Sequence, residues 1–239
     1  MIRDRLAYIG TLAGGLAHEV RNPLNSIMLN TDMLMDQAGE LPGEKAEKFR
    51  KRLSRIHQET KNLQNIVSEF LTFARPPRVE LTPTDINDFF YDTIEFLREE
   101  CDKKNIQIHF HFQKEMYPVL IDQKQFGQVI FNLIRNAADA IGKDGHIDVF
   151  IRDRENNELE LRVEDSGPGV SPELRDKIFD VFFTTKDKGT GLGLGIASRI
   201  VSEHGGRIFL DAPEEPNRST AFVIRLPRRI FLSYEEDSE

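Results

Sequence analysis

His18 is the first residue along the chain with a case for chemistry. Apolar residues at Ile2, Leu6, Ile9, Ala13, Leu16 and Val20 alternate in steps of four and three, the a/d seam of a helix that packs on other helices. With Leu16 at d and Val20 at a, His18 falls at f, on the solvent side, where a partner domain can reach it. Glu19 is adjacent and can accept the proton of one ring nitrogen, which leaves the other as a nucleophilic lone pair. Asn22 shares the histidine's face one turn on, and Pro23 weakens the helix there so that it can bend. A lone histidine on an exposed helix face is ordinarily just solvated. Here that explanation must also account for Glu19, Asn22 and Pro23.

Three further groups have suggestive spacing. Val163-Glu164-Asp165-Ser166-Gly167-Pro168-Gly169 ends a strand with a carboxylate and two glycines. An ionised Asp165 accepts from a donor such as an exocyclic amine, and the glycines let a flat ligand approach the backbone. Gly189-Thr190-Gly191-Leu192-Gly193-Leu194-Gly195 runs into a helix, so its amides and the helix N-terminus can face phosphates. It is neither a P-loop, lacking Gly-Lys-Ser/Thr, nor a dinucleotide fingerprint, since no βαβ unit surrounds it. Asn132 and Asn136 lie four apart on one helix face, where their amide oxygens can meet a ligand or a hard cation such as Mg²⁺. Taken alone, each glycine cluster is equally an ordinary loop, and the asparagines equally line a solvated groove.

The elements that must position these residues divide near residue 75. Before it, the first seam and a second one at Phe49, Leu53, Ile56, Thr60, Leu63, Val67, Phe70 and Ala74 flank the turn signal Gly39-Glu40-Leu41-Pro42-Gly43. Residues 1–74 therefore read as an antiparallel helical hairpin. Two helices make a thin core, so the hairpin is expected to dimerise into a four-helix bundle; packing on the rest of its own chain is the alternative. Arg75-Pro76-Pro77-Arg78 ends the second helix, and a linker with a short strand follows through Pro83. Thr84 is expected to cap a helix running to about Lys104. Ile106, Ile108, Phe110 and Phe112 alternate with Gln107, His109 and His111 as a half-buried strand. A helix over Gln123–Ile141, with Phe126, Val129, Ile130, Leu133, Ala137 and Ile141 as its apolar face, precedes strands at 147–152 and 158–164. A helix near 192–204 and strands near 207–211 and 220–226 complete a mixed domain with helices on one face of a sheet.

Composition bounds the reading. The 239 residues allow one large or two small domains, and 32 Lys and Arg against 40 Asp and Glu give a formal net charge of -8. That sign argues against nucleic acid as a partner. Cys101 is the single cysteine, which excludes an internal disulfide and a cysteine-rich zinc site. No apolar run approaches the roughly 18 residues that cross a bilayer, and no signal-peptide pattern opens the chain. A cytoplasmic chain without membrane contact of its own is expected, and a membrane-anchored parent remains compatible with it. His109 and His111 are expected to be solvated rather than metal-bound.

In this order the boxes resemble a two-component sensor histidine kinase, from about Arg5 to Pro227. The resemblance rests on Leu16-Ala17-His18-Glu19-Val20-Arg21-Asn22-Pro23-Leu24, on 132–140, on Asp165–Gly169, on Phe179-Asp180-Val181-Phe182-Phe183-Thr184-Thr185-Lys186, and on the glycine loop through Gly195. It implies that His18 is the phosphoacceptor, Glu19 activates it, and Asn22 serves phosphoryl handling and dephosphorylation of a partner regulator. It implies ATP and Mg²⁺ as cofactors, with Asn136 holding the metal and Asn132 close by in the nucleotide site. Asp165 would read adenine, flanked by Gly167 and Gly169. Lys186, Gly191, Leu192 and Gly193 would surround the phosphates, and Thr220 would support the adenine network. Phe179 and Phe182 would pack a lid formed by 184–191. Asn132 stands where gyrase-like relatives carry a catalytic glutamate, and an amide cannot act as that base.

The fold implied is an antiparallel helical hairpin dimerising into a four-helix bundle, followed by an α/β sandwich. The dimerisation and phosphoacceptor domain would span 1–75, the linker 76–84, the ATP-binding domain 85–230 and an acidic tail 231–239. The implied partners are a second copy and a response-regulator receiver domain. A gyrase-like ATPase and a non-catalytic dimeric docking module are the alternatives. A sensory region normally precedes the first helix in this family, so the chain is expected to be either an excised catalytic portion or a kinase that senses through another subunit.

Overall fold

The computed structural model of the chain describes residues 20, 22–38, 44–74, 78–113, 116, 118–154, 157–186, 189–211 and 221–228. The chain divides into two compact units, Met1–Pro77 and Arg78–Glu239.

In the first unit, α1 (residues 22–38) and α2 (Glu44–Ala74) run antiparallel. The cross-links give the direction. Gln64 Nε2 donates to Asn25 Oδ1 at 2.8 Å, His57 Nδ1 lies 3.0 Å from Asp32 Oδ1, and Arg50 Nη1 donates to Ala38 O at 2.8 Å. Leu24, Thr31 and Ala38, seven apart, are buried against a stripe containing Leu53 and Thr60. The d positions of the α2 seam, Phe49, Ile56 and Leu63, remain exposed. The segment before Val20 and the turn at 39–43 lie outside the described residues.

The second unit is a two-layer sandwich. Three helices, α3 (Ile86–Lys103), α4 (Gln123–Ile141) and α5 (Gly193–Glu203), cover one face of a five-stranded sheet. Its strands are β2 (Ile106–Phe112), β4 (Gly145–Arg154), β5 (Glu158–Asp165), β6 (Arg207–Asp211) and β7 (Ala221–Pro227), in the order β2-β4-β5-β7-β6. β2 and β4 pair in parallel, which requires the crossover that α4 supplies, and the other neighbours are antiparallel. The period-two pattern sends Ile106, Ile147, Val149, Leu161, Val163 and Ile224 inward to meet Phe90, Ile94, Phe126, Leu133 and Ile130, all essentially inaccessible. Cys101 belongs to this buried layer of α3, and burial pushes its thiol up.

The local expectations need two corrections. Asp85, not Thr84, caps α3: its Oδ1 accepts from Asn87 N at 3.0 Å and from Asp88 N at 3.2 Å. Thr84 ends a three-residue strand, β1 (Thr82–Thr84), which pairs antiparallel with β3 (Val119–Ile121). Three residues carry too little alternation to announce β3, so its pairing with the stretch read as a linker was not foreseen. No helix among the described residues is long and apolar enough to cross a membrane.

Candidate functional site

α4 carries the site, and its start is held from several sides. Asp122 caps it, accepting from Gln125 N at 3.1 Å and from Glu80 N at 3.0 Å. The buried His204 accepts from Asp122 N through Nε2 at 3.0 Å, and its Nδ1 lies 2.8 Å from Ile200 O, so the network assigns the proton to Nδ1. The apolar stripe then faces the sheet, which leaves Asn132, Asn136 and Asp139 on the opposite flank.

These three side chains meet the glycine-rich loop. Asn132 Nδ2 donates to Gly193 O at 3.0 Å, tying α4 to the first residue of α5. Lys186 Nζ donates to Asn136 Oδ1 at 2.8 Å and to Asp139 Oδ2 at 3.1 Å, while Lys104 Nζ reaches Asp139 Oδ1 at 3.1 Å. Partial burial works against the Asp139 charge, yet the hydrogen bonds and charges of the two lysines hold its carboxyl below the usual range. Asp139 and Lys104 were not singled out from sequence. The available signal was the position of Asp139 three residues after Asn136.

Asp165 ends β5 on the helix side of the sheet and is buried. That burial pushes its carboxyl up, against the opposing pull of the Gly167 amide and the Lys186 charge. Gly167 N donates to Asp165 Oδ1 at 2.9 Å. A Cβ at Gly167 would stand 2.6 Å from that oxygen and 3.1 Å from the Ala140 carbonyl carbon, so only glycine lets this loop press against the last turn of α4. The second required glycine is Gly191, with φ 68°, where a Cβ would come within 2.4 Å of the Phe182 backbone. Gly191 O accepts from Phe182 N at 3.0 Å, closing the loop that carries Lys186. Phe182 itself sits at φ 68°, a conformation that costs a bulky residue energy.

The expected site residues are thus partly gathered. Asn132 is bonded to Gly193 and Lys186 to Asn136, and Gly167, bonded to Asp165, presses against the end of the same helix, while Gly169 turns the following backbone at φ 77°. The Leu192 side chain is fully buried, so only its backbone is available to a ligand. Phe179 packs edge-on against Phe222 at 6.2 Å, and Phe182 is 61% exposed. Asn22 is an exposed residue of α1. His18, Glu19 and Thr220 lie outside the described residues.

A hard cation fits the chemistry here: Asn136 turns an oxygen, the donor type Mg²⁺ prefers, toward a positively charged group already. Elsewhere, His111 Nε2, His109 Nδ1 and His146 Nε2 lie 2.7, 3.4 and 3.6 Å from the Asp148 carboxylate on the open sheet face. Among the described residues no group of three or more His, Cys, Asp or Glu is arranged to hold a metal ion.

Two family models match the chain: the "His Kinase A (phospho-acceptor) domain" over residues 8–78, and the "Histidine kinase-, DNA gyrase B-, and HSP90-like ATPase" over 121–230. The sensor histidine kinase ZraS of Salmonella typhimurium is 32% identical over 94% of this chain and 47% of its own length. The catalytic domain of the histidine kinase ThkA is 35% identical, with a TM-score of 0.57 over 62% of this chain and 96% of that one. ThkA in complex with the response regulator protein TrrA is 32% identical, with a TM-score of 0.68 over 95% of this chain and 64% of that one. The chain spans less than half the length of the curated relatives it matches.

Proposed function

The chain belongs to the histidine kinase family, and on that footing we propose that it is an ATP-dependent kinase that phosphorylates its own His18 and passes the phosphoryl group to an aspartate of a response-regulator receiver domain. The observation that carries the reading is the cluster at α4: Asn132 on the Gly193 loop, Asn136 on Lys186, and the buried Asp165 with Gly167 at the end of the same helix. Asp165 accepts the exocyclic amine of adenine, most strongly as a carboxylate, while its Oδ1 also accepts from Gly167 N. Lys186, with backbone amides of 191–193, neutralises the phosphates, and Thr220 supports the adenine end. Asn136 holds Mg²⁺, which when bound screens the phosphate charge that resists attack.

In the transfer, a lone pair of the His18 imidazole forms a bond to the γ-phosphorus as the bond to the bridging oxygen breaks, and ADP leaves with the electron pair. Glu19 takes up the proton of the other ring nitrogen. Positioning and charge neutralisation supply most of the rate, since phosphoryl transfer leaves little covalent work to the protein. The Asn132 amide donates to Gly193 O and cannot serve as a base, which favours transfer over hydrolysis. Asn22, exposed on α1, is the group for phosphoryl handling and for hydrolysis of the regulator's phosphoaspartate. The chain works in the cytoplasm, as a homodimer.

Incubation with γ-labelled ATP tests the reading. Label that is lost in acid and kept in base marks phosphohistidine, and His18→Gln abolishes it while nucleotide binding persists. Labelling that survives His18→Gln would sink the acceptor assignment. Steady phosphate release with no phosphoprotein would favour the gyrase-like alternative.

A further inference from the structure

Asn136 and Asp139 are three residues apart on α4, so their side chains project from one flank. Both give an oxygen to the same point: Lys186 Nζ lies 2.8 Å from Asn136 Oδ1 and 3.1 Å from Asp139 Oδ2. An amide oxygen and a carboxylate oxygen converging on one positive charge is a small cation seat, filled here by an ammonium. The carboxylate is aimed from behind, because Lys104 Nζ holds its other oxygen at 3.1 Å. Such a second contact fixes the orientation of a metal-binding carboxylate.

We propose that Asp139 is a second protein ligand of the divalent cation, and that Lys186 occupies the Asn136–Asp139 seat until that cation displaces it onto the nucleotide's phosphates. The inference rests on the ATP-site reading and deepens it. A divalent ion bound to Asn136 Oδ1 sits where the ammonium now donates, and two cations cannot share that oxygen at contact distance. The displaced Lys186 belongs to the loop whose ends are held by the Phe182–Gly191 and Asn132–Gly193 bonds, so it can turn toward a phosphate without the loop detaching. Metal and phosphate together complete the exchange: the phosphates take the ammonium, and α4 takes the metal. Phosphate oxygens and water fill the remaining coordination positions, as Mg²⁺ prefers.

The exchange makes opposite demands on two variants of the full chain, read by binding of a fluorescent ATP analogue as Mg²⁺ is titrated from an EDTA baseline. Asp139→Asn raises the Mg²⁺ midpoint by about 10-fold, the size of effect typical when a metal's supporting group is lost. It leaves metal-free analogue binding as strong as in the parent or stronger, because Lys186 is released. Lys186→Met lowers the Mg²⁺ midpoint, since the competing cation is gone, while weakening binding at saturating Mg²⁺. An Asp139→Asn midpoint equal to the parent's overturns the inference and leaves the ATP site standing, and so does a Lys186→Met midpoint that rises. A parent chain that binds no analogue at any Mg²⁺ concentration removes the ATP site and this inference together.

Discussion

Asp165 shows how one side chain can serve binding at the expense of the fold. Ionised, it is the stronger acceptor for an amine, yet it is 5% exposed, where ionisation is disfavoured. Its folded pKa is raised above the unfolded value. Its contribution to stability is therefore complete below the unfolded pKa and is lost as pH rises through the folded one. Asp165→Asn removes that penalty, so the nucleotide-free protein is expected to melt higher at neutral pH, as seen in thermal scans. The same change should weaken the fluorescent ATP analogue by at least about 10-fold, the value of one charge-assisted hydrogen bond. In the parent, analogue affinity should fall on acidification at a higher pH than an ordinary aspartate would give. A variant that melts lower, or binds as tightly as the parent, would contradict this assignment.

Among the elements, β5 depends on a charge arrangement that only strand register assembles. Glu160 is opposite Arg152 on β4 and Arg225 on β7, and Arg154 also reaches it. It is 2% exposed; burial alone would raise its carboxyl, but the three guanidiniums hold it down at about 2. Because the folded pKa is depressed, the stabilisation is present above the unfolded value near 4.5 and is lost as pH falls toward about 2. Glu160→Gln should cost on the order of 2–3 kcal/mol at neutral pH, given that solvent screens the half-exposed arginines. It should also flatten the loss of stability between these pH values in urea titrations. An unchanged acid profile would count against the arrangement. The alternation that makes β4 and β5 strands was legible in the sequence, whereas the partners of Glu160 lie up to 65 residues away and were not. The cap of α3 was misread for a similar reason, since Thr84 and Asp85 both suit an N-cap and the pairing of β1 with β3 decides between them.

At the scale of the whole molecule, the described part of the hairpin leaves a row of apolar side chains exposed. Val20 ahead of α1 and Ile27 and Leu34 on it are exposed at seven-residue intervals, as are Phe49, Ile56 and Leu63 on α2. Burying such side chains is worth about 1.5–3 kcal/mol each, which a second hairpin can supply by completing a four-helix bundle. Ile56→Lys combined with Leu63→Lys should yield a monomer by analytical ultracentrifugation, with analogue binding unchanged. A double variant with the parent's mass would refute the proposed seam.

The sequence by itself determined the residue types and the local periods. The amphipathic face of α4, the two glycine loops, the antiparallel hairpin and the sandwich of helices on one sheet face follow from neighbours one to four residues apart, whose geometry the backbone imposes. Tertiary structure alone decided that Lys186 joins Asn136 to Asp139 across some 50 residues, that Lys104 backs Asp139, and that β1 finds β3. Those contacts depend on chain closure and strand register. No periodicity carries that information, because the free energy that selects them comes from the packed core as a whole.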